Sequence, residues 1–302
     1  MRHLGPVLLL ALTASSTLAQ TMRVTINDLA VDRPVLALPV LPGAVLDIAL
    51  LGEDHGLVDA SVDGSPLPLP DGRGELLAPH ETGVHRLSFS SGDERIDINL
   101  LVVIPASNVV DGRLNGYRID AYPSKPLRGL RVYEPPTGFV EVTADNRHTG
   151  ISTSYALGEF VSKQTGGYPK YLVLRPRLLL KLELIGDALR AHGLQFEKFT
   201  IMSGYRTPYY NRSIGNVQYS RHLWGGAADI YIDESPRDGV IDDLNGDGEI
   251  SRADARWLWQ FIDGMARRGE FGELVGGLGL YRATAAHGPF VHVDVRGFVA
   301  RW

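Results

Sequence analysis

The chain has 302 residues, 44% of them hydrophobic, a formal net charge of −5 and no cysteine. That length accommodates two domains, each with its own core, and the mild acidity argues against a nucleic-acid binder, which needs a basic face. Without cysteine there are no disulfides, and any metal site must draw on His, Asp or Glu.

Met1-Arg2-His3 is a short basic start, followed by an apolar run from Leu4 to Ala14 and then by small residues. Thr17 and Ala19 stand three and one positions before a cleavage point ahead of Gln20, the layout of a secretory signal peptide over 1–19. The run is too short to span a bilayer and contains Pro6, and no cysteine offers a lipid anchor. No later stretch is apolar enough to cross a membrane. An exported chain is expected, periplasmic in the simplest case and otherwise secreted.

Residues 20–105 read as short strands between turns. Met22, Val24 and Ile26 alternate with polar residues, as do Ile96, Ile98, Leu100 and Val102, while Asp63-Gly64, Asp71-Gly72 and Gly92-Asp93 are turn pairs. The expected result is an immunoglobulin-like β-sandwich. Its His55, His80 and His85 lack ligand spacing and read as surface residues. Residues 106–150 form a connector rich in Pro, Gly and Tyr, with a short strand at 138–143.

From 151 to 302 helical and strand patterns mix, which predicts an α+β domain. Pro176 opens a helix with an apolar face of Leu178, Leu182, Ile185 and Leu189, and Gly193 stops it. Lys198 to Met202 reads as a strand, and a second helix after Ser251 carries Leu258, Phe261, Ile262 and Met265 on one face.

Three segments of this domain carry chemistry: Ser203-Gly204-Tyr205-Arg206-Thr207, the run from Ser220 to Ile230, and Phe290-Val291-His292-Val293-Asp294. His222 and Asp229 bracket a turn of small residues that lets imidazole and carboxylate approach one ion, and His292 projects from a strand. Two imidazoles and a carboxylate leave a tetrahedral position open, as in catalytic rather than structural zinc sites. Tyr205 and Trp224 read as packing residues.

The pattern His222-x-x-Gly225-x-Ala227-x-Asp229, followed much later by His292, resembles the zinc D-Ala-D-Ala carboxypeptidase and murein endopeptidase family, whose fold is shared with the Hedgehog signalling domain. The Phe-Val-His-hydrophobic-Asp strand is most similar to the periplasmic murein endopeptidase branch. The resemblance covers residues 150–302 and implies an antiparallel sheet with helices, zinc held by His222, Asp229 and His292, and Arg206 on the substrate carbonyl or its oxyanion. It implies a peptidoglycan peptide as substrate, with the sandwich left to engage the cell wall or a protein partner. Many family members carry a glutamate three residues before the last ligand, where this chain has Pro289. His287 is therefore read as the acid/base and Asp294, two residues after His292 and on the same strand face, as an orienting carboxylate.

A second metal is expected within an insertion at 234–256. Asp243, Asn245, Asp247, Glu249 and Asp254 occupy positions 1, 3, 5, 7 and 12 of a loop with glycines at 246 and 248, similar to an EF-hand or dockerin calcium loop. Ser251 and Asp254 also form a capping box for the helix that follows. Asp233, Asp238 and Asp242 read as solvated surface. Beside the peptidase stands a second function, a zinc-stabilised binding module without catalysis.

Overall fold

The computed structural model describes residues 22–52 and 58–302; the leader expected over 1–19 and His55 lie outside them. The first nine strands are β1 (Arg23–Ile26), β2 (Leu29–Val31), β3 (Val35–Val40), β4 (Val45–Leu51), β5 (Asp59–Val62), β6 (Ser65–Pro66), β7 (Arg73–Leu77), β8 (Gly83–Ser91) and β9 (Glu94–Val102). They form two sheets, ordered β2-β1-β4-β7 and β3-β9-β8-β5-β6. All pairs are antiparallel except β3 with β9. The alternation in sequence decides the faces: Leu46, Ile48 and Leu50 of β4 are buried, whereas Val45, Asp47 and Leu51 point outward. Asp63 and Asp71 adopt positive φ beside their glycines, as the turn pairs require.

The connector contributes β10 (Ile104–Pro105), the hairpin strands β11 (Arg113–Leu114) and β12 (Tyr117–Arg118), and β13 (Gly138–Val142), which pairs with β10 and with β14 (Lys170–Leu172). The remaining elements are α1 (Pro176–Ala191), β15 (Thr200–Ser203), α2 (Pro208–Ser213), β16 (Ala227–Tyr231), α3 (Arg252–Arg267), β17 (Gly277–Tyr281), β18 (Phe290–Asp294) and β19 (Ala300–Arg301). Strands β15-β16-β18-β17-β19 make one sheet, antiparallel apart from β17 with β19. Helix α3 packs on β17 and β18, and α1 lies against β3 of the sandwich. Pro176 occupies the first turn of α1 and the Ser251–Asp254 capping box starts α3, as the sequence signals predict.

Among the described residues the two halves share their main core, and a smaller cluster of Tyr133, Leu223 and Trp224 stands beside it. The main cluster runs from Val24 and Phe89 in the sandwich through Phe139 to Leu182, Ile230 and Val293. The reason lies in polar ties that length and composition do not reveal. Ala37 N donates to Ile151 O at 2.8 Å, and Asn99 Nδ2 donates to Gly150 O at 2.7 Å. The buried Glu183 carboxylate of α1 accepts from Ser152 Oγ at 2.6 Å and from Ser154 N and Oγ at 2.7 and 2.8 Å. No helix among the described residues is long and apolar enough to cross a membrane.

Helix α1 carries a second buried charge. Lys181 Nζ donates to Asp294 O at 2.8 Å and lies 4.5 Å from the centre of the Phe271 ring. Burial lowers its pKa to about 8, with the Asp294 charge opposing. Between pH 8 and 10 the unfolded chain holds a proton that the folded Lys181 has released, so stability rises with pH over that window. Below pH 8 the buried ammonium costs up to about 3 kcal/mol, since a tenfold change in proton affinity corresponds to about 1.4 kcal/mol. Denaturant unfolding should therefore show stability climbing from pH 8 to 10, and Lys181→Met should flatten the climb. An unchanged slope in the variant would refute this account.

Candidate metal centre

A short 3₁₀ turn, Arg221–Trp224, delivers His222 into the interior. It ends at Gly225, whose φ is +61° and where an added Cβ would lie 2.1 Å from Val173 O. Only glycine fits there, which lets the chain reverse at once into β16. In β16 Asp229 pairs with His292 of β18 on one side and with Ser203 of β15 on the other. The register alone therefore sets the second and third side chains beside each other.

The three groups converge. Asp229 Oδ1 lies 2.8 Å from His292 Nδ1 and 3.2 Å from His222 Nε2, and the two ring nitrogens are 3.2 Å apart. His222, Asp229 and His292 are all buried. Each imidazole is oriented from behind. His222 Nδ1 donates to Gly204 O at 2.6 Å, and His292 Nε2 faces Asp294 Oδ2 at 3.2 Å. With those outer nitrogens protonated, the inner nitrogens of both neutral rings aim lone pairs at a carboxylate that also has only lone pairs to offer. Such a convergence calls for a cation, and the two-imidazole, one-carboxylate donor set suits zinc. The three residues are the group of converging ligands found among the described residues.

Electrostatics follow the same logic. Burial would raise the Asp229 pKa, but His222 and His292 hold it well below the ordinary carboxylate range. Burial lowers the His222 pKa, whereas hydrogen bonds to Asp229 and Asp294 overcome burial and raise that of His292.

Arg206 joins the centre directly. Its Nε donates to Ser203 Oγ at 2.8 Å and one terminal nitrogen pairs with Asp229 Oδ2. Arg206, His222, Asp229 and His292 line a cleft of about 450 Å³. Asp294 does not reach it. Its carboxylate accepts from Gly277 N at 2.8 Å, Arg296 Nε at 2.9 Å and Arg296 Nη2 at 2.5 Å. Burial would raise its pKa, but His292 and Arg296 hold it far below the carboxylate range. It stands behind His292, outside the cleft lining.

His287 is not brought into the cleft. Its Nδ1 lies 2.8 Å from Gly288 O and its ring edge meets Phe290 at 5.0 Å, in a neighbouring pocket. The oxygens of the 243–254 loop are engaged by backbone amides. Asp243 accepts from Gly246 N and Gly248 N, both at 2.8 Å, and Asn245 and Asp247 accept from Asp247 N and Glu249 N. Asp254 is buried as the helix cap, accepting from Leu244 N at 2.9 Å and Ser251 N at 2.7 Å. This geometry gives calcium no support.

Several cleft residues escape sequence reading. Tyr133 of the connector, Tyr219, Tyr281, Phe290 and Trp302 form aromatic walls. The Trp302 ring stands 5.2 Å from the His292 ring and rests on Gly279, where a Cβ would meet its Nε1 at 2.4 Å. Glycines at 277 and 279 within a strand are the available signal of such a close approach. Tyr205 and Trp224 are buried packing residues, as expected.

Residues 161–244 match the family model described as Peptidase M15. No curated protein matches the chain. The matched segment contains Arg206, His222 and Asp229, and the match supports a zinc metallopeptidase. His292 lies beyond it, and the pairing of β16 with β18 supplies it. Replacing Asp294 by Asn keeps the shape but weakens the acceptor behind His292. Zinc affinity, measured by competition with a chromogenic chelator, should fall about 10- to 100-fold, while Glu249→Gln leaves it unchanged. Equal affinities in the Asp294 variant and the native protein would remove Asp294 from the metal's support.

Proposed function

We propose that the chain is a zinc peptidase of the M15 type that hydrolyses peptide bonds of peptidoglycan. The observation that carries this reading is the convergence of His222 Nε2, Asp229 Oδ1 and His292 Nδ1 in the wall of an open cleft, with Arg206 beside them. Zinc, when bound, would supply Lewis-acid activation of water and of the scissile carbonyl. His222, Asp229 and His292 would hold it, with Gly204 O and Asp294 fixing the two imidazoles. Arg206 has two nitrogens engaged by Ser203 and Asp229, so its position is fixed before substrate arrives. Its other terminal nitrogen would donate to the substrate carbonyl and to the negative charge that develops there. The aromatic walls would exclude water and seat the peptide. Export to the periplasm or beyond, and a cell-wall or protein partner for the sandwich, belong to the same proposal.

A zinc-stabilised binding module is the second reading, and one observation favours it. The cleft lining contains no carboxylate besides Asp229, which is already shared between two imidazoles and Arg206. Digestion of purified cross-linked muropeptides separates the two readings. The zinc-loaded protein should release uncrosslinked or shortened products, chelation should stop it, and His222→Ala should abolish turnover while the fold persists. A folded, zinc-loaded protein that yields no product would sink the peptidase and leave the binding module. The masses of the products decide between carboxypeptidase and endopeptidase action.

A further inference from the structure

Next to the metal centre lies a smaller pocket, of about 200 Å³, lined by Lys163, Met202, Tyr231, Ile241, His287 and Pro289 among others. Its place follows from the strands. Tyr231 stands two residues after Asp229 on β16, and Phe290 two residues before His292 on β18, so both project from the ligand face of the sheet. Two residues of strand advance about 7 Å. Met202 falls at the bulge between Ile201 and Ser203, one residue before the serine that holds Arg206. The Phe290 ring is the partition: His287 meets it at 5.0 Å, Tyr281 stacks on it at 4.6 Å, and it lines the main cleft. The pocket is therefore a side chamber of the cleft, roughly 7 Å along the strands from the metal ligands.

Its charge is one-sided. Two groups that can be cationic, Lys163 and His287, line it, and no carboxylate does. Asp233 and Asp238 stand outside the lining, where their charges act on Tyr231; Asp233 accepts from Asp238 N and Gly239 N, both at 3.0 Å, and Asp238 accepts from Val240 N at 3.0 Å. Lys163 is exposed, and the charges of Arg206 and Asp229 both act on it, which places its ammonium within electrostatic reach of the centre. His287 Nδ1 donates to Gly288 O at 2.8 Å, which leaves Nε2 of the neutral ring an acceptor and Lys163 the cationic donor of the lining.

We infer that this side chamber is a subsite for a free carboxylate of the peptide substrate, held by Lys163 Nζ, on a residue within two positions of the cleaved bond. The reach follows from the spacing, since an extended peptide covers about 7 Å in two residues. The inference rests on the peptidase reading for its substrate class, but binding tests it separately from turnover. The carboxylate can come from the peptide's own terminus or from an acidic residue within it.

The test is calorimetric binding of four synthetic stem peptides to the zinc-loaded full chain: free acid, terminal amide, internal amide and doubly amidated. One of the two amidations should weaken binding to the native protein about 10- to 100-fold, the scale of a charge-assisted hydrogen bond, and which one does so identifies the source. Lys163→Gln should bind the free acid as weakly as the native protein binds that amide, and should no longer distinguish them, while Lys163→Arg retains discrimination. Equal binding of all four peptides by the native protein, no binding at all, or discrimination that survives Lys163→Gln would overturn the subsite. Discriminating binding without cleavage would overturn only the hydrolase reading, and cleavage without discrimination only the subsite.

Discussion

The Asp229 carboxylate is the constraint around which the C-terminal half is organised. It is buried between two imidazoles and a guanidinium, in surroundings where an isolated charge would be untenable. Every neighbouring element answers that charge. Strand β18 brings His292 across from it, the 3₁₀ turn brings His222, and β15 brings Arg206 through Ser203. Behind these stands a second ring of partners: Gly204 O, Asp294 and Arg296. Each partner is itself fixed, which holds the three donor atoms at their spacing. Such preorganisation costs folding energy, and the fold offsets it with a large continuous core.

That core explains why the N-terminal half is more than a tether. The connector supplies one wall of the cleft through Tyr133, whose ring lies 4.7 Å from the Arg221 guanidinium, while Val132 O accepts from Arg221 Nη1 at 2.5 Å. Arg221 is buried, with Nε and Nη2 unpartnered, and burial lowers its pKa to about 10. The π faces of Tyr133 and Trp224 stabilise a cation that, among the described residues, no carboxylate pairs with directly and on which Asp294 acts only at a distance. His222 is the next residue, so the aromatic connector steadies the metal ligand through the backbone. Cleft, connector and sandwich therefore form one mechanical unit.

What can be read from the sequence is what neighbours in the chain determine. His222 and Asp229 are joined by a turn that only small residues can make, so their spacing is visible, and Pro176 and Ser251 mark the starts of α1 and α3. The turn pairs of the sandwich are visible for the same reason. Tertiary register is not. The aromatic walls come from 133, 219, 281, 290 and 302, positions with no shared local pattern. The 243–254 loop reads in two ways. Its oxygen spacing is that of a cation loop, yet the same short side chains also satisfy turn amides and a helix cap, and in this geometry they do. His287 falls outside the cleft because a few residues of loop can turn a side chain to either side of Phe290.

Pro289 ties the departure from the resembling family to the chemistry of this cleft. Where many members of that family place a glutamate three residues before the last ligand, this chain has a proline that lines the side chamber with Lys163 and His287. The substitution does more than delete a base: the position no longer contributes an anion beside the metal, and the chamber next to it presents a cationic group instead. A carboxylate at 289 would oppose the positive charge of Lys163 in the same lining, whereas proline leaves that charge unopposed by a lining carboxylate. Arg206, fixed by Ser203 and Asp229, is the cationic side chain that shares the metal centre itself, so position 289 and Arg206 set the charge on the two sides of Phe290.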